Sequence, residues 1–156
     1  MNTLNLPETD LRIRQSGDKR EVFDVIRKRF IKLTSEEWVR QHFIHFLIHQ
    51  KQVPASLIGV ETSIKYNRLS KRCDIVVFNN NGAPVMIVEC KAPGIEISQE
   101  VFNQVAMYNM TLKVNYLVVT NGMDHFISLI DHQNRSFSFL KEVPDYSMLI
   151  DLSSHT

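Results

Sequence analysis

Three charged residues at the ends of two apolar runs can do chemistry in this sequence. Asp74 stands at the head of residues 73–79, and Glu89 and Lys91 at the tail of residues 84–91. The runs are separated by Asn80-Asn81-Gly82-Ala83, and Asn81-Gly82 signals a tight hairpin, because both central positions of a type I′ turn need positive φ. A symmetric turn centred there sets Asp74 opposite Glu89, with both carboxylates on one face of the hairpin and Pro84 facing Asn79. Lys91, two residues past Glu89, points from that same face. Two acids at about metal-chelating distance beside an ammonium are what a Mg²⁺ site for phosphodiester hydrolysis requires. Hard oxygen ligands hold the ion, and the ion and the ammonium offset charge growing on phosphorus. The other reading is a solvent-exposed ion-pair cluster. Against it, residues 75–78 and 85–88 read as central strands buried on both sides, and charges at the ends of such strands are costly.

The elements that must position these groups follow from periodicity. Val22, Phe23, Ile26 and Phe30 recur at helical spacing and predict a helix over residues 19–30. A second helix starts after Thr34, an N-cap completed as a capping box by Glu37, and runs to residue 49 or 50 with Trp38, Val39, Phe43, Phe46 and Leu47 as its apolar stripe. A half-buried strand over residues 57–66 precedes the hairpin. After Pro93-Gly94, Ser98 caps a helix to about residue 113 with Val101, Val105, Tyr108 and Leu112 along one side, and the apolar strand Tyr116-Leu117-Val118-Val119 follows. Strand, helix, strand makes a βαβ crossover, so the strands at 85–91 and 116–120 are expected parallel. Two more strands, near 125–131 and 136–140, continue the sheet antiparallel. The expected architecture is an α/β (α+β) three-layer core, a mixed β-sheet flanked by helices, in one domain over residues 1–156 behind a short polar lead.

The chain has 156 residues, 44% hydrophobic, a length that supports one core without disulfides or a structural metal. No apolar run approaches the roughly 18 to 20 residues of a membrane span, and the first residues do not read as a secretory signal, so the expected location is cytoplasmic. The near balance of 18 Lys+Arg and 17 Asp+Glu hides a gradient: residues 12–51 carry ten against five, residues 92–156 three against seven. A basic first third suits phosphates, or equally the solvated face of a helix. Cys73 and Cys90 make no zinc or redox spacing. The same hairpin register sets them facing each other on its opposite side, as two buried thiols or, on oxidation, a strained disulfide.

Asp74 followed by Glu89-Cys90-Lys91 resembles the D…ExK signature of the PD-(D/E)xK nuclease superfamily, with Cys73 in place of the leading Pro. Gln104-Val105-Ala106-Met107-Tyr108 matches the QxxxY motif that some branches carry on the following helix, where i,i+4 spacing sets Gln104 and Tyr108 on one face. More specifically, Glu36-Glu37-Trp38-Val39-Arg40-Gln41, Arg72-Cys73-Asp74-Ile75, Val88-Glu89-Cys90-Lys91-Ala92-Pro93 and the stretch from Tyr116 to Gly122 resemble the N-terminal nuclease domain of type I restriction enzyme R subunits, over about residues 15–146. The resemblance implies a restriction-endonuclease-like fold and a Mg²⁺- or Mn²⁺-dependent DNA endonuclease. In it Asp74, Glu89 and the Cys90 backbone carbonyl hold the ion, Lys91 positions the nucleophilic water, and Gln104, Tyr108 and Glu37 belong to the catalytic set. Arg40, Gln41 and Arg72 are expected to contact DNA. Partners are DNA and other restriction-modification subunits or a second copy, with no membrane. No GxxxxGK[ST] phosphate loop occurs, so no ATP site is expected.

Several of these residues also have structural readings. A capping-box Glu accounts for Glu37, ordinary helix-surface positions for Arg40 and Gln41, and a buried amide with a core aromatic for Gln104 and Tyr108. His45 and His49 have the i,i+4 spacing of a zinc pair, but Phe46 stands where a metalloprotease needs its glutamate, so surface or half-buried histidines are expected. The rival function is a non-catalytic module of the same fold that binds nucleic acid or a partner protein.

Overall fold

The strands of the computed structural model, which describes residues 1–151, pair into two sheets. The first is antiparallel: β1 (Ile13–Ser16), β2 (Lys19–Asp24) and β3 (Arg29–Lys32). Helix α1 (Ser35–Gln50) and a 3-10 turn (Ala55–Leu57) lead to β4 (Ile58–Tyr66), β5 (Leu69–Phe78) and β6 (Pro84–Cys90). Helix α2 (Gln99–Met110) crosses to β7 (Tyr116–Thr120), and β8 (His125–Asp131), β9 (Ser136–Leu140) and the short α3 (Tyr146–Leu149) complete the chain. The six-stranded sheet runs β4-β5-β6-β7-β8-β9, with β6 and β7 parallel as the crossover requires and every other neighbour antiparallel.

The first sheet replaces the helix expected over residues 19–30. Gly17 at φ 63° turns β1 into β2, and the Asp24 carboxylate accepts the N–H groups of Ile26 and Arg27 at 2.8 and 2.9 Å, closing the next turn with Lys28 at φ 55°. Val22 and Asp24 point inward and Phe23 outward. This alternation of period two wins over the three- and four-residue recurrence because two turns interrupt the segment.

The two later helices cover opposite faces of the large sheet. Thr34 Oγ1 accepts from Glu37 N at 3.1 Å and starts α1, whose Val39, Phe43, Ile44 and Leu47 pack with Ile75, Val77, Met86 and Val88. Ser98 Oγ accepts from Val101 N at 3.1 Å and starts α2, whose Phe102, Ala106 and Met110 pack with Val76, Ile87, Leu117 and Val119. Each such large side chain stabilises the fold by about 1.5–3 kcal/mol. The buried stripe of α2 is therefore rotated from the expected one, with Tyr108 exposed, and Leu112 is buried beyond the helix end. The lead is tied down at Asn5, whose N–H donates to Gly122 O at 2.8 Å.

The hairpin keeps its register but not its turn. Ile75 faces Val88, Val76 faces Ile87 and Val77 faces Met86, as predicted. Among the turn residues only Gly82 has positive φ, and Asn79 Oδ1 accepts from Asn81 N and Ala83 N, both at 2.9 Å. This wider turn shifts the pairing by one, so Pro84 faces Phe78 rather than Asn79.

Candidate active site

Regular pairing of β5 with β6 ends at Ile75, one residue short of Asp74. Asp74 Oδ2 then accepts the Cys90 N–H at 2.7 Å, doing for β6 what a strand carbonyl otherwise does and bringing the carboxylate to the end of β6. On its other side the β4–β5 ladder passes over Asp74 and Glu61, and Glu61 sits at φ 49°. The alternation slips here: Ile75 packs in the core under α1, whereas Cys73 packs in the core under α2. Cys90 belongs to the α1 core, so the two thiols lie on opposite faces of the sheet instead of facing each other, and both are free. Burial pushes Cys73 up to about 11 and Cys90 well above the ordinary thiol range.

Glu89 is half-enclosed, and its Oε1 lies 2.7 Å from Lys71 Nζ. The Lys71 ammonium is thus the counter-ion and donor of that buried oxygen. Burial raises the Glu89 pKa above the ordinary carboxylate range, Lys71 opposes the rise, and the neighbouring Asp74 charge adds to it. Lys71 Nζ also sits 5.1 Å from the Tyr108 ring centroid, so Tyr108 of α2, Lys71 of β5 and Glu89 of β6 form one contiguous set. Gln104 and Tyr108 are both exposed, which overturns the buried-amide and core-aromatic reading. Lys91 is half-buried, its N–H donates to Thr120 O at 2.8 Å, and its ammonium has no ion pair among the described residues. Lys71 was missed by sequence reasoning, because strict alternation from Asp74 sends it to the other face; only the slip at Asp74 turns it to Glu89.

A buried ionic network backs Asp74 on the α1 side. Arg40, only 5% exposed, approaches Glu37 at 3.2 Å, Glu61 at 3.3 Å and Asp74 at 3.9 Å. Arg27 joins Asp24 at 2.7 Å, Glu61 at 3.2 Å and Glu37 at 3.3 Å, and the fully buried Gln41 donates to Asp24 and Glu37, both at 3.0 Å. Glu37 therefore receives the cap through its N–H, while its carboxylate is spent on Arg27, Arg40 and Gln41 rather than returned to Thr34. Arg40 and Gln41 do not stand on a DNA-contacting surface; both are interior. Arg72 is exposed and pairs with Glu61 at 2.8 Å. His42 is buried, with Nδ1 2.8 Å from Trp38 O, while His45 is half-buried and His49 exposed.

Among the described residues no three His, Cys, Asp or Glu side chains gather as a metal-holding group. The donor set expected from the sequence is different in kind, two carboxylates and a backbone carbonyl, all hard oxygens suited to Mg²⁺ or Mn²⁺. One feature fits it: Asp74 Oδ1 meets no cation nearer than Arg40 at 3.9 Å.

Residues 35–144 match the family model of the type I restriction enzyme R protein N terminus. Among solved structures, a fragment described as an HsdR subunit of a type I restriction enzyme from Vibrio vulnificus matches with a TM-score of 0.54 at 19% identity, over 75% of this chain and 24% of that one. At that identity the likeness is one of fold, and this chain spans about a quarter of the fragment's length. No curated protein matches the chain. The family match covers more than two thirds of the sequence, beginning at α1 and taking in Asp74, Glu89 and Lys91, and the chain belongs to the family of type I restriction enzyme R protein N-terminal domains.

Proposed function

We propose that this domain is a DNA endonuclease dependent on Mg²⁺ or Mn²⁺, the cutting element of a type I restriction system. The observation that carries the reading is the meeting of Asp74 and Glu89 where the β5–β6 ladder stops, with Lys91 two residues further along the chain and in no ion pair among the described residues. Asp74, Glu89 and the Cys90 backbone carbonyl would hold the ion, which when bound supplies Lewis acidity toward a phosphodiester oxygen. Lys91 orients the attacking water and offsets charge on the phosphoryl group. Lys71 and Tyr108 hold the Glu89 carboxylate in place, Gln104 stands one turn before Tyr108 on the exposed face of α2, and the Arg40–Glu37 pair braces Asp74 from behind. DNA is the substrate, and other restriction-modification subunits or a second copy deliver it.

Incubation with supercoiled plasmid tests this. Cleavage is expected with Mg²⁺ or Mn²⁺, none with EDTA, and a loss of at least about 100-fold in Asp74→Ala and Lys91→Ala. Cleavage that survives both substitutions overturns the assignment of the site. Absence of cleavage under every condition favours the non-catalytic binding module, a reading supported by the contacts that Cys90 N–H and Lys71 already make to the two carboxylates.

A further inference from the structure

The outward face of the β1–β2–β3 sheet gathers cations over aromatic rings. Registers Arg14–Glu21–Lys32 and Phe23–Phe30, with Arg12 O accepting from Phe23 N at 2.8 Å, set Arg12, Arg14, Glu21, Phe23, Phe30 and Lys32 on one side. Lys19 shares that side by alternation, while Val22 and Asp24 face inward and are fully buried. Four cations thus surround one carboxylate, and that carboxylate is already paired with Arg14 at 2.9 Å. The arginines lie on the rings: Arg14 is 3.9 Å from the Phe30 centroid, and Arg12 is 5.3 Å from both Phe23 and Phe30. A guanidinium held against an aromatic ring loses little freedom on binding and still offers N–H donors suited to the fork geometry of phosphate. The sheet also adjoins the candidate site, since Asp24 at its inner end bonds Gln41, and Arg27 in its turn reaches Glu61 beside Asp74.

We propose that this face binds the DNA phosphate backbone, without reading sequence and without a metal. The occupant follows from charge complementarity: an excess of three positive charges with no carboxylate left to receive them matches a uniform polyanion. The inference concerns a surface separate from the carboxylates. It shares with the proposed function only the substrate class, and it stands whether or not the domain cuts.

The experiment measures fluorescence anisotropy of a labelled DNA duplex with the full chain in EDTA, from 50 to 300 mM salt. If all four cations meet phosphates, log K falls against log salt with a slope of about −3.6. Arg12→Gln/Arg14→Gln is expected to make that slope shallower by about 2 and to lower affinity on the order of 10- to 100-fold at 0.1 M salt. Arg12→Lys/Arg14→Lys keeps the slope, and Lys113→Gln/Arg135→Gln, in loops of the large sheet, leaves both slope and affinity unchanged. Circular dichroism melting confirms that each variant folds. A wild-type slope in Arg12→Gln/Arg14→Gln, or no DNA binding by the wild type, overturns the proposal and assigns the face to an acidic protein partner or to solvent. Because EDTA removes any catalysis, loss of this result and loss of the nuclease reading are separate outcomes.

Discussion

Lys71→Met isolates the counter-ion that holds Glu89. The Lys71 side chain is 20% exposed and that of Glu89 14%, with 2.7 Å between the charged atoms. Breaking a fully buried pair costs about 3–5 kcal/mol, because one charge is left alone. The remaining exposure lets water relax around Glu89, so the expected loss is about 1–3 kcal/mol, including the Tyr108 contact at roughly 0.5–1 kcal/mol. For a domain of this size that is about 2–12 °C in Tm. Glu89 already titrates above its ordinary 4.5, held up first by burial, so its favourable contribution is complete below 4.5 and is lost as pH rises through the folded value. Removing Lys71 lifts the folded value further. The added deficit is therefore present at pH 7 and fades as pH falls toward 4.5, leaving only the pH-independent Tyr108 part. Mg²⁺ meets less competition in the variant, and at tenfold excess over Kd it stabilises the fold by about 1.4 kcal/mol. The assay is thermal melting of wild type and variant at pH 7 and pH 5, each with EDTA and with Mg²⁺. A deficit that does not change with pH, or a Mg²⁺ shift no larger in Lys71→Met than in the wild type, refutes the reasoning.

Other expectations follow from single contacts. Gly122 has φ 87°, and a Cβ there would meet Leu4 at 2.8 Å and Val39 at 3.0 Å, so Gly122→Ala should cost about 1–3 kcal/mol in chemical denaturation; a neutral result would mean the N-terminal lead is not docked. Burial raises the Asp24 pKa but its bonds from Arg27, Gln41 and Ile26 lower it more, so its contribution is present above 3.8 and is lost as pH falls through the lower folded value. Asp24→Asn should then lose roughly 1.5–3 kcal/mol at pH 7, with the gap from wild type closing toward pH 3, and a gap independent of pH would contradict it. Cys73 and Cys90 should resist a thiol reagent at pH 8 in the native state, label fully in denaturant and form no disulfide on oxidation. Rapid native labelling of either would refute their burial.

What could be read from the sequence divides by the range of the interaction that decides it. N-caps at Thr34 and Ser98 need only a residue three positions on, and both formed, although Glu37 does not close the capping box on Thr34. The parallel pairing of β6 and β7 follows from chain length alone. Residues 19–30 failed because apolar spacing was read without Gly17-Asp18 and the Asp24 side chain, two local turn signals that outweigh a four-residue recurrence. The hairpin register came out right through the wrong turn, since burial of Ile75, Val77, Met86 and Val88 under α1 fixes pairing more firmly than turn type does. Lys71 and the separation of Cys73 from Cys90 depend on the slip at Asp74, a non-local feature shared by three strands that no single segment signals.

The slip also sets the charge of the site. Within the network Asp24, Glu37, Glu61, Asp74 and Glu89 face Arg27, Arg40 and Lys71, and counting Lys91, which follows Glu89 by two residues, leaves an excess of one carboxylate. Glu36 and Arg72, more exposed at 46% and 70%, cancel each other and leave that excess unchanged. An unmatched negative charge in a partly buried setting is costly, and burial together with the Asp74 charge raises the Glu89 pKa. A divalent cation held by Asp74 and Glu89 would turn the local sum from one negative to one positive charge. That is the complement of a single phosphodiester, whereas a monovalent ion would leave the site neutral and without attraction for the backbone. Divalent selectivity is thus expected from charge balance as well as from ligand type. K⁺ at matched ionic strength should produce no melting shift where Mg²⁺ and Mn²⁺ do, and an equal shift from K⁺ would remove the electrostatic basis for the site.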